Sequence, residues 1–144
     1  MDQEARLEAA LQAPYWIIDI LPAQVPRDAG GQYFAVERYW AQEPQRTKIK
    51  QKHIDTVLKL NCYRDLALED ESNPPPKQVA ETMQKRRTLL WIGDALLVSE
   101  PEETWMTLYR PDDALLELVK TLAAGEGLYV WQPPQQTDRT DSSL

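Results

Sequence analysis

The sequence predicts an α+β fold in which helices pack mainly on one face of a largely antiparallel sheet. Three short apolar runs follow one another between residues 88 and 109, as in a three-stranded meander. Amphipathic helix patterns lie on either side of them, at 45–61 and 111–125, and further strand-like runs lie near 15–21 and 128–131. Because 144 residues are the usual size of one domain, we expect a single globular unit over residues 1–132.

The N-terminal third contains two clear elements and one ambiguous one. Leu7 and Leu11 share a face of a short helix over 2–11, and the aromatic and β-branched run at 15–21 favours a strand. Two prolines and paired glycines then predict a loop over 21–31. Residues 33–41 fit either a strand or a helix, and their good helix formers favour the helix.

The middle third is dominated by a long amphipathic helix. Over 45–61 the apolar stripe includes Ile49, His53 and Val57, while lysines occupy the opposite face. The alternation at 65–69 suggests a short edge strand, and the three prolines that follow predict a break at 71–76. Asn73 is a candidate cap for the next helix, which we expect to run to about residue 87.

The C-terminal third shows the strongest local signals. The two-residue connection Gly93-Asp94 is typical of a tight hairpin between the first two meander strands. Pro111 and Gly125 bound the last helix at its expected start and end. The strand at 128–131 pairs either beside the meander or parallel to the first strand, and the polar residues 133–144 are expected to form a disordered tail.

The charge balance argues against two classes of partner. Asp and Glu number 23 against 16 Lys and Arg, giving a net charge of −7 that repels nucleic-acid phosphates and anionic lipid surfaces. The N-terminus has no cationic start with an apolar stretch, and no apolar run reaches the roughly 20 residues of a membrane helix. We therefore expect a cytoplasmic protein with no membrane contact. The lone Cys62 excludes an intramolecular disulfide.

The charges are also unevenly distributed along the chain. Residues 46–64 carry six basic side chains and one acid, whereas residues 94–117 carry seven acids and one base. Such runs are most often solvated faces, but an acidic face beside aromatic rings also suits a basic partner.

The sequence lacks the residue patterns of known catalytic and cofactor sites. One histidine and one cysteine cannot supply the ligand set of a transition-metal centre, and no glycine-rich phosphate loop or nucleophile elbow is present. We therefore expect no metal and no cofactor, and consider an enzyme the less favoured class. The one weak catalytic candidate is His53, a packed core histidine on most readings, with Asp19 to orient it.

Five tryptophans and six tyrosines are the most unusual feature of the composition. Rings in strands either form core between sheet and helices or line a binding surface. Trp105 and Thr107 alternate with Met106 and Leu108, so both faces of that strand contain apolar residues. Such a strand is either covered on both faces or exposed for a partner.

These observations favour a non-catalytic protein-interaction module, similar in character to small acidic inhibitors and immunity-type proteins, although no motif identifies a family. The expected partner is a protein, and a basic one suits this surface. The candidate binding residues lie in and beside the acidic run: Glu100, Glu102, Glu103, Trp105, Tyr109, Asp112 and Asp113.

Two alternatives remain open from the sequence. The first is a small ligand-binding domain or enzyme with a pocket between sheet and helix that uses His53. The second is a self-assembling module, in which an exposed strand or aromatic face forms a homodimer. The basic helix at 46–64 gives weak support to nucleic acid, against the overall charge.

Overall fold

A computed structural model describes residues 2–22 and 30–133 of the chain. Within them lie five helices: α1 (Gln3–Leu11), α2 (Gly30–Trp40), α3 (Gln45–Leu60), α4 (Pro76–Lys85) and α5 (Asp113–Gly125). Seven strands alternate with these helices: β1 (Tyr15–Asp19), β2 (Ala67–Leu68), β3 (Glu71–Ser72), β4 (Thr88–Ile92), β5 (Ala95–Ser99), β6 (Trp105–Tyr109) and β7 (Tyr129–Trp131). The predicted tail beyond residue 133, and residues 23–29 of the predicted loop, lie outside the described residues.

All seven strands form one antiparallel sheet in the order β3-β2-β4-β5-β6-β1-β7. The predicted α+β class and the meander β4-β5-β6 are confirmed, and Gly93 in the first turn has φ +61°, a conformation that favours glycine. Neither predicted placement of the last strand is found: β7 pairs with β1, which separates it from the meander, and it runs antiparallel to β1.

Three helices cover one face of the sheet and form the main core with it. The buried face of α3 carries Ile54, Val57 and Leu60, and it packs beside α4 and α5. The inward residues of the three central strands lie in the same apolar cluster and are 0–4% exposed. They are Leu90, Ile92, Ala95, Leu97, Met106 and Leu108.

The opposite face of the sheet is covered only in part. Ala10 of α1 packs on Trp91, Leu96 and Val98, so α1 shields β4 and β5. On β6, β1 and β7 the same face carries half-buried or exposed side chains, among them Trp105, Tyr15 and Tyr129. Three of the helices thus lie on one face, as predicted, whereas α1 packs on the other and α2 lies beside Trp105 and Asp19.

One local expectation is confirmed and two need adjustment. Residues 33–40 lie in a helix, α2, as their composition favoured. The predicted break at 71–76 contains the two-residue strand β3, which turns back on β2. Asn73 does not cap α4: it lies at φ +50°, and its side-chain oxygen accepts from the Leu66 N–H at 3.0 Å, so it closes the β2–β3 turn instead.

Candidate functional site

His53 lies in a closed polar cluster between α3 and the end of β5. The Lys50 ammonium donates to His53 Nδ1 at 3.3 Å, to Ser99 Oγ at 3.0 Å and to the Glu100 carbonyl at 2.8 Å. His53 and Ser99 are fully buried and Lys50 is 6% exposed. All three hydrogens of the ammonium are therefore engaged within the protein, and the cluster ties α3 to the strand that it covers.

The pKa values of this cluster follow from its burial. The pKa of His53 is lowered to about 3, mainly by burial and also by the charge on Lys50, while the backbone of Thr104 acts in the opposite direction. Burial also lowers the pKa of Lys50 to about 8, against the attraction of Glu100 and Glu103. A histidine that stays neutral and has no exposed surface is poorly suited to exchange protons with a substrate.

Asp19, the proposed partner of His53, lies on the other face of the sheet. Its cross-strand neighbours are Trp105 on β6 and Tyr129 on β7, whereas His53 packs on the helix-covered face. No hydrogen bond joins Asp19 to His53 in the described part of the chain. The structure therefore keeps these two residues apart.

The Asp19 carboxyl is 7% exposed, and its Oδ1 accepts from the Leu21 N–H at 3.3 Å. Burial raises the pKa of Asp19 to about 6, although the backbone N–H groups of Leu21 and Ile20 lower it. The charge of Glu37 raises the pKa as well, so α2 lies close to this end of β1. Asp19 and Glu37 are thus two acidic groups near the face of the sheet on which Trp105 is exposed.

The seven candidate binding residues divide between the two ends of β6. Glu100, Glu102 and Glu103 lie in the loop before the strand, and Trp105 begins it. Tyr109 ends the strand, and Asp112 and Asp113 follow it, so roughly 13 Å of extended chain separates the two groups.

The residues at the far end of β6 have structural roles. Asp112 caps α5 by accepting from the Leu115 N–H at 2.7 Å. Tyr109 packs on the smaller core cluster, and its ring centroid lies 5.5 Å from that of Tyr15. In the near group, the Glu100 carboxylate forms an ion pair with Arg87 at 3.2 Å. Asp113 lies in the first turn of α5, where its charge offsets the helix dipole. The remaining candidates are Glu102, Glu103 and Trp105.

These three residues line a groove against α2, which we call the acidic groove. Its volume is about 440 Å³. Two aromatic rings are exposed there, Trp105 at 38% and Phe34 at 53%. The full lining is Phe34, Glu37, Arg38, Ala41, Glu102, Glu103, Thr104 and Trp105.

The acidic groove keeps an excess of negative charge, although the Lys50 ammonium attracts Glu103. Glu37, Glu102 and Glu103 face one base, Arg38. In the part of the chain that the structure describes, none of these three carboxylates has a basic nitrogen within 4 Å. The groove therefore combines excess negative charge with exposed aromatic surface, an arrangement that suits a cation carried on an apolar stem.

Sequence reasoning missed the half of the groove that α2 supplies. Phe34, Glu37, Arg38 and Ala41 follow the i, i+3, i+4, i+7 spacing of one helix face, so the signal was present. That face is mixed in polarity rather than apolar, and 33–41 was compatible with a strand. Only the tertiary contact between α2 and the β5–β6 loop reveals that the stripe belongs to a site.

Comparisons with known proteins supply no function for this chain. No protein-family model matches it, and neither the curated proteins nor the solved structures compared with it include a match. Across residues 2–22 and 30–133 no group of three or more His, Cys, Asp or Glu side chains is arranged to hold a metal ion. None of the described helices is long and apolar enough to cross a membrane.

Proposed function

We propose that this chain is a non-catalytic module that binds a basic segment of a protein partner in the acidic groove. The observation that carries the proposal is the pairing of two exposed rings, Phe34 and Trp105, with three carboxylates that form no ion pair among the described residues. Large exposed rings beside unpaired charge are typical of binding surfaces rather than of folding cores.

The chemistry of the groove specifies the partner's side chains. A Lys or Arg side chain stacked on Trp105 gains a cation–π interaction and leaves its charge within reach of Glu102 or Glu103. The net charge of −7 steers a basic partner towards the molecule from a distance. We therefore expect fast association that slows as salt screens the charges.

The polar cluster around Lys50 supports the non-catalytic assignment. Its histidine and serine are fully buried, and the hydrogens of its ammonium are used by Ser99, Glu100 and His53. This arrangement favours a structural cross-link over a catalytic centre. The alternative of an enzyme or ligand-binding domain that uses His53 therefore gains no support from the geometry of the cluster.

The test is affinity capture from native cell extract, followed by calorimetry with the purified partner. We expect a basic protein that is released as the salt concentration rises. Trp105→Ala should weaken binding by about tenfold or more, because it removes an anchor ring. Glu102→Lys combined with Glu103→Lys should weaken it further and flatten its salt dependence.

The matched control places the same charge change elsewhere. Glu8 and Glu81 are exposed, on α1 and α4, and neither lines the groove. Glu8→Lys combined with Glu81→Lys should keep most of the affinity, since only long-range steering is altered. Equal losses in both double variants would reduce the effect to net charge and contradict a specific groove. Sedimentation of the protein alone at two concentrations identifies self-association, which would assign the exposed rings to a homodimer instead.

A further inference from the structure

A second site lies at the opposite end of the sheet, in a cleft of about 1080 Å³ between α1, the β4–β5 turn and the start of α5. Three arginines from separate parts of the chain line it: Arg6 of α1, Arg64 after α3 and Arg110 after β6. We call it the arginine cleft. It is large enough for a small-molecule ligand and does not overlap the acidic groove.

Two of the arginines are held in place by backbone carbonyls of the β4–β5 turn. Arg6 Nη2 donates to the Gly93 carbonyl at 2.6 Å, and its guanidinium carbon lies 3.8 Å from the centre of the Trp91 ring. Arg110 Nε donates to the Asp94 carbonyl at 3.3 Å. Each contact uses only part of a guanidinium, which has five N–H donors, so donors remain for a ligand.

The third arginine, Arg64, is half-buried, and its guanidinium has no hydrogen-bond or ion-pair partner among residues 2–22 and 30–133. Nor does a carboxylate of these residues lie within 4 Å of Arg6 or Arg110. Three guanidinium groups thus share one cleft without ion pairs. Guanidinium groups in such a setting are the residue type best matched to phosphate oxygens.

Three aspartates also line the cleft, and two of them already accept hydrogen bonds within the protein. Asp112 accepts from the Leu115 N–H and offsets the positive end of α5. Asp65 accepts from Asn73 Nδ2 at 3.0 Å. Asp94 is exposed at the turn. These acids balance the formal charge, so the cleft favours a ligand whose anionic group reaches the arginines and whose hydroxyl or amino groups meet the aspartates.

We infer that the arginine cleft binds a small phosphate-bearing molecule, with the phosphate held by Arg6, Arg64 and Arg110. The inference does not depend on the acidic groove, because it uses different residues at the other end of β6.

The experiment is calorimetric titration of the full chain with inorganic pyrophosphate at low ionic strength. We expect one saturable site. Arg64→Gln should lower the affinity by about tenfold or more, since it removes a charge-assisted contact, and Arg110→Gln should act in the same direction. Because the Arg64 guanidinium has no contact to lose, the melting temperature of Arg64→Gln should match that of the unaltered protein. Arg86→Gln, which removes an exposed arginine outside the cleft, is the matched control and should leave binding unchanged.

Three results would overturn the inference. The first is the absence of binding at millimolar pyrophosphate. The second is equal binding by the unaltered protein and by the Arg64 and Arg110 variants, which would place the anion elsewhere. The third is citrate binding as tightly as pyrophosphate, which would assign the cleft to carboxylates rather than to phosphate.

Discussion

The two faces of the sheet differ in how they are covered, and the difference separates stability from recognition. On the helix-covered face, α3, α4 and α5 bury the inward side chains of β6, and Met106 and Leu108 have no exposed surface. On the other face α1 covers only β4 and β5, which leaves Trp105 38% exposed on the same strand. A single strand thus contributes to the main core on one side and to the acidic groove on the other.

The polar groups of the two faces show the same contrast. On the covered face, Lys50 donates to His53 Nδ1, Ser99 and Glu100, while His53 Nε2 is buried without a hydrogen-bond partner among the described residues. On the partly covered face, Asp19 is buried beside Trp105 and has only backbone N–H donors to stabilise its charge. The buried cation of one face thus has three acceptors, whereas the other face retains a carboxyl that is costly to ionise.

The largest expected difference between the faces is in unfolding free energy. Leu108→Ala removes a fully buried side chain and should destabilise the protein by about 2–5 kcal/mol. Thr107→Ala, one residue earlier on the other face, should cost less than about 1 kcal/mol, because Thr107 is only half-buried. Urea denaturation of both variants measures the contrast. Similar losses for the two would mean that the second face is covered as fully as the first.

The second prediction concerns the covered face in acid. The pKa of His53 is about 3 in the folded protein and about 6.5 when unfolded, so below pH 6.5 the unfolded chain binds a proton that the folded chain does not. Stability contributed by neutral His53 is therefore lost as the pH falls, by about 3 kcal/mol between pH 7 and pH 4.

The control for this loss is His53→Gln, which keeps an acceptor for Lys50 but does not titrate. Urea denaturation at a series of pH values should show that the unfolding free energy falls less towards acid pH in the variant than in the unaltered protein. Parallel pH profiles would mean that the folded protein also protonates His53, and that the cluster is more open than its geometry indicates.

Much of the fold was predictable because its signals are local. The hairpin at Gly93 and the stripe of α3 depend on neighbours within a few residues, and each was correctly predicted. The start of α5 was predicted two residues too early, because Asp112 is its cap and Pro111 lies outside the helix. The antiparallel pairing of β7 with β1 was not predicted, since it joins residues more than 100 positions apart and the apolar pattern does not distinguish it from the two pairings that were expected.

The candidate site was predictable only in part for the same reason. The acidic run placed Glu102, Glu103 and Trp105 together because they are adjacent in the sequence. It also included Asp112 and Asp113, which follow β6 and therefore lie at the opposite end of that strand from the acidic groove. Phe34 and Glu37 come from a helix some 70 residues earlier, so no local pattern joins them to Trp105.

The sharpest test of the contrast between the faces is Asp19→Asn. The pKa of Asp19 is about 6 in the folded protein and 3.8 when unfolded, so between these values the folded chain holds a proton that the unfolded chain releases. Stability therefore falls as the pH rises through this window, opposite in sign to the contribution of His53. Asparagine carries no charge and still offers an oxygen to the Leu21 N–H.

The Asp19→Asn variant should therefore match the unaltered protein near pH 3.5 and exceed its unfolding free energy by about 3 kcal/mol at pH 7.5. Urea denaturation at the two pH values measures this difference. An equal difference at both values would mean that the pKa of Asp19 is the same in the folded and unfolded chains, and hence that burial does not raise it. Because Trp105 pairs with Asp19 across the strands, a gain confined to high pH would also show that the carboxyl beside Trp105 is shielded from water in the free protein.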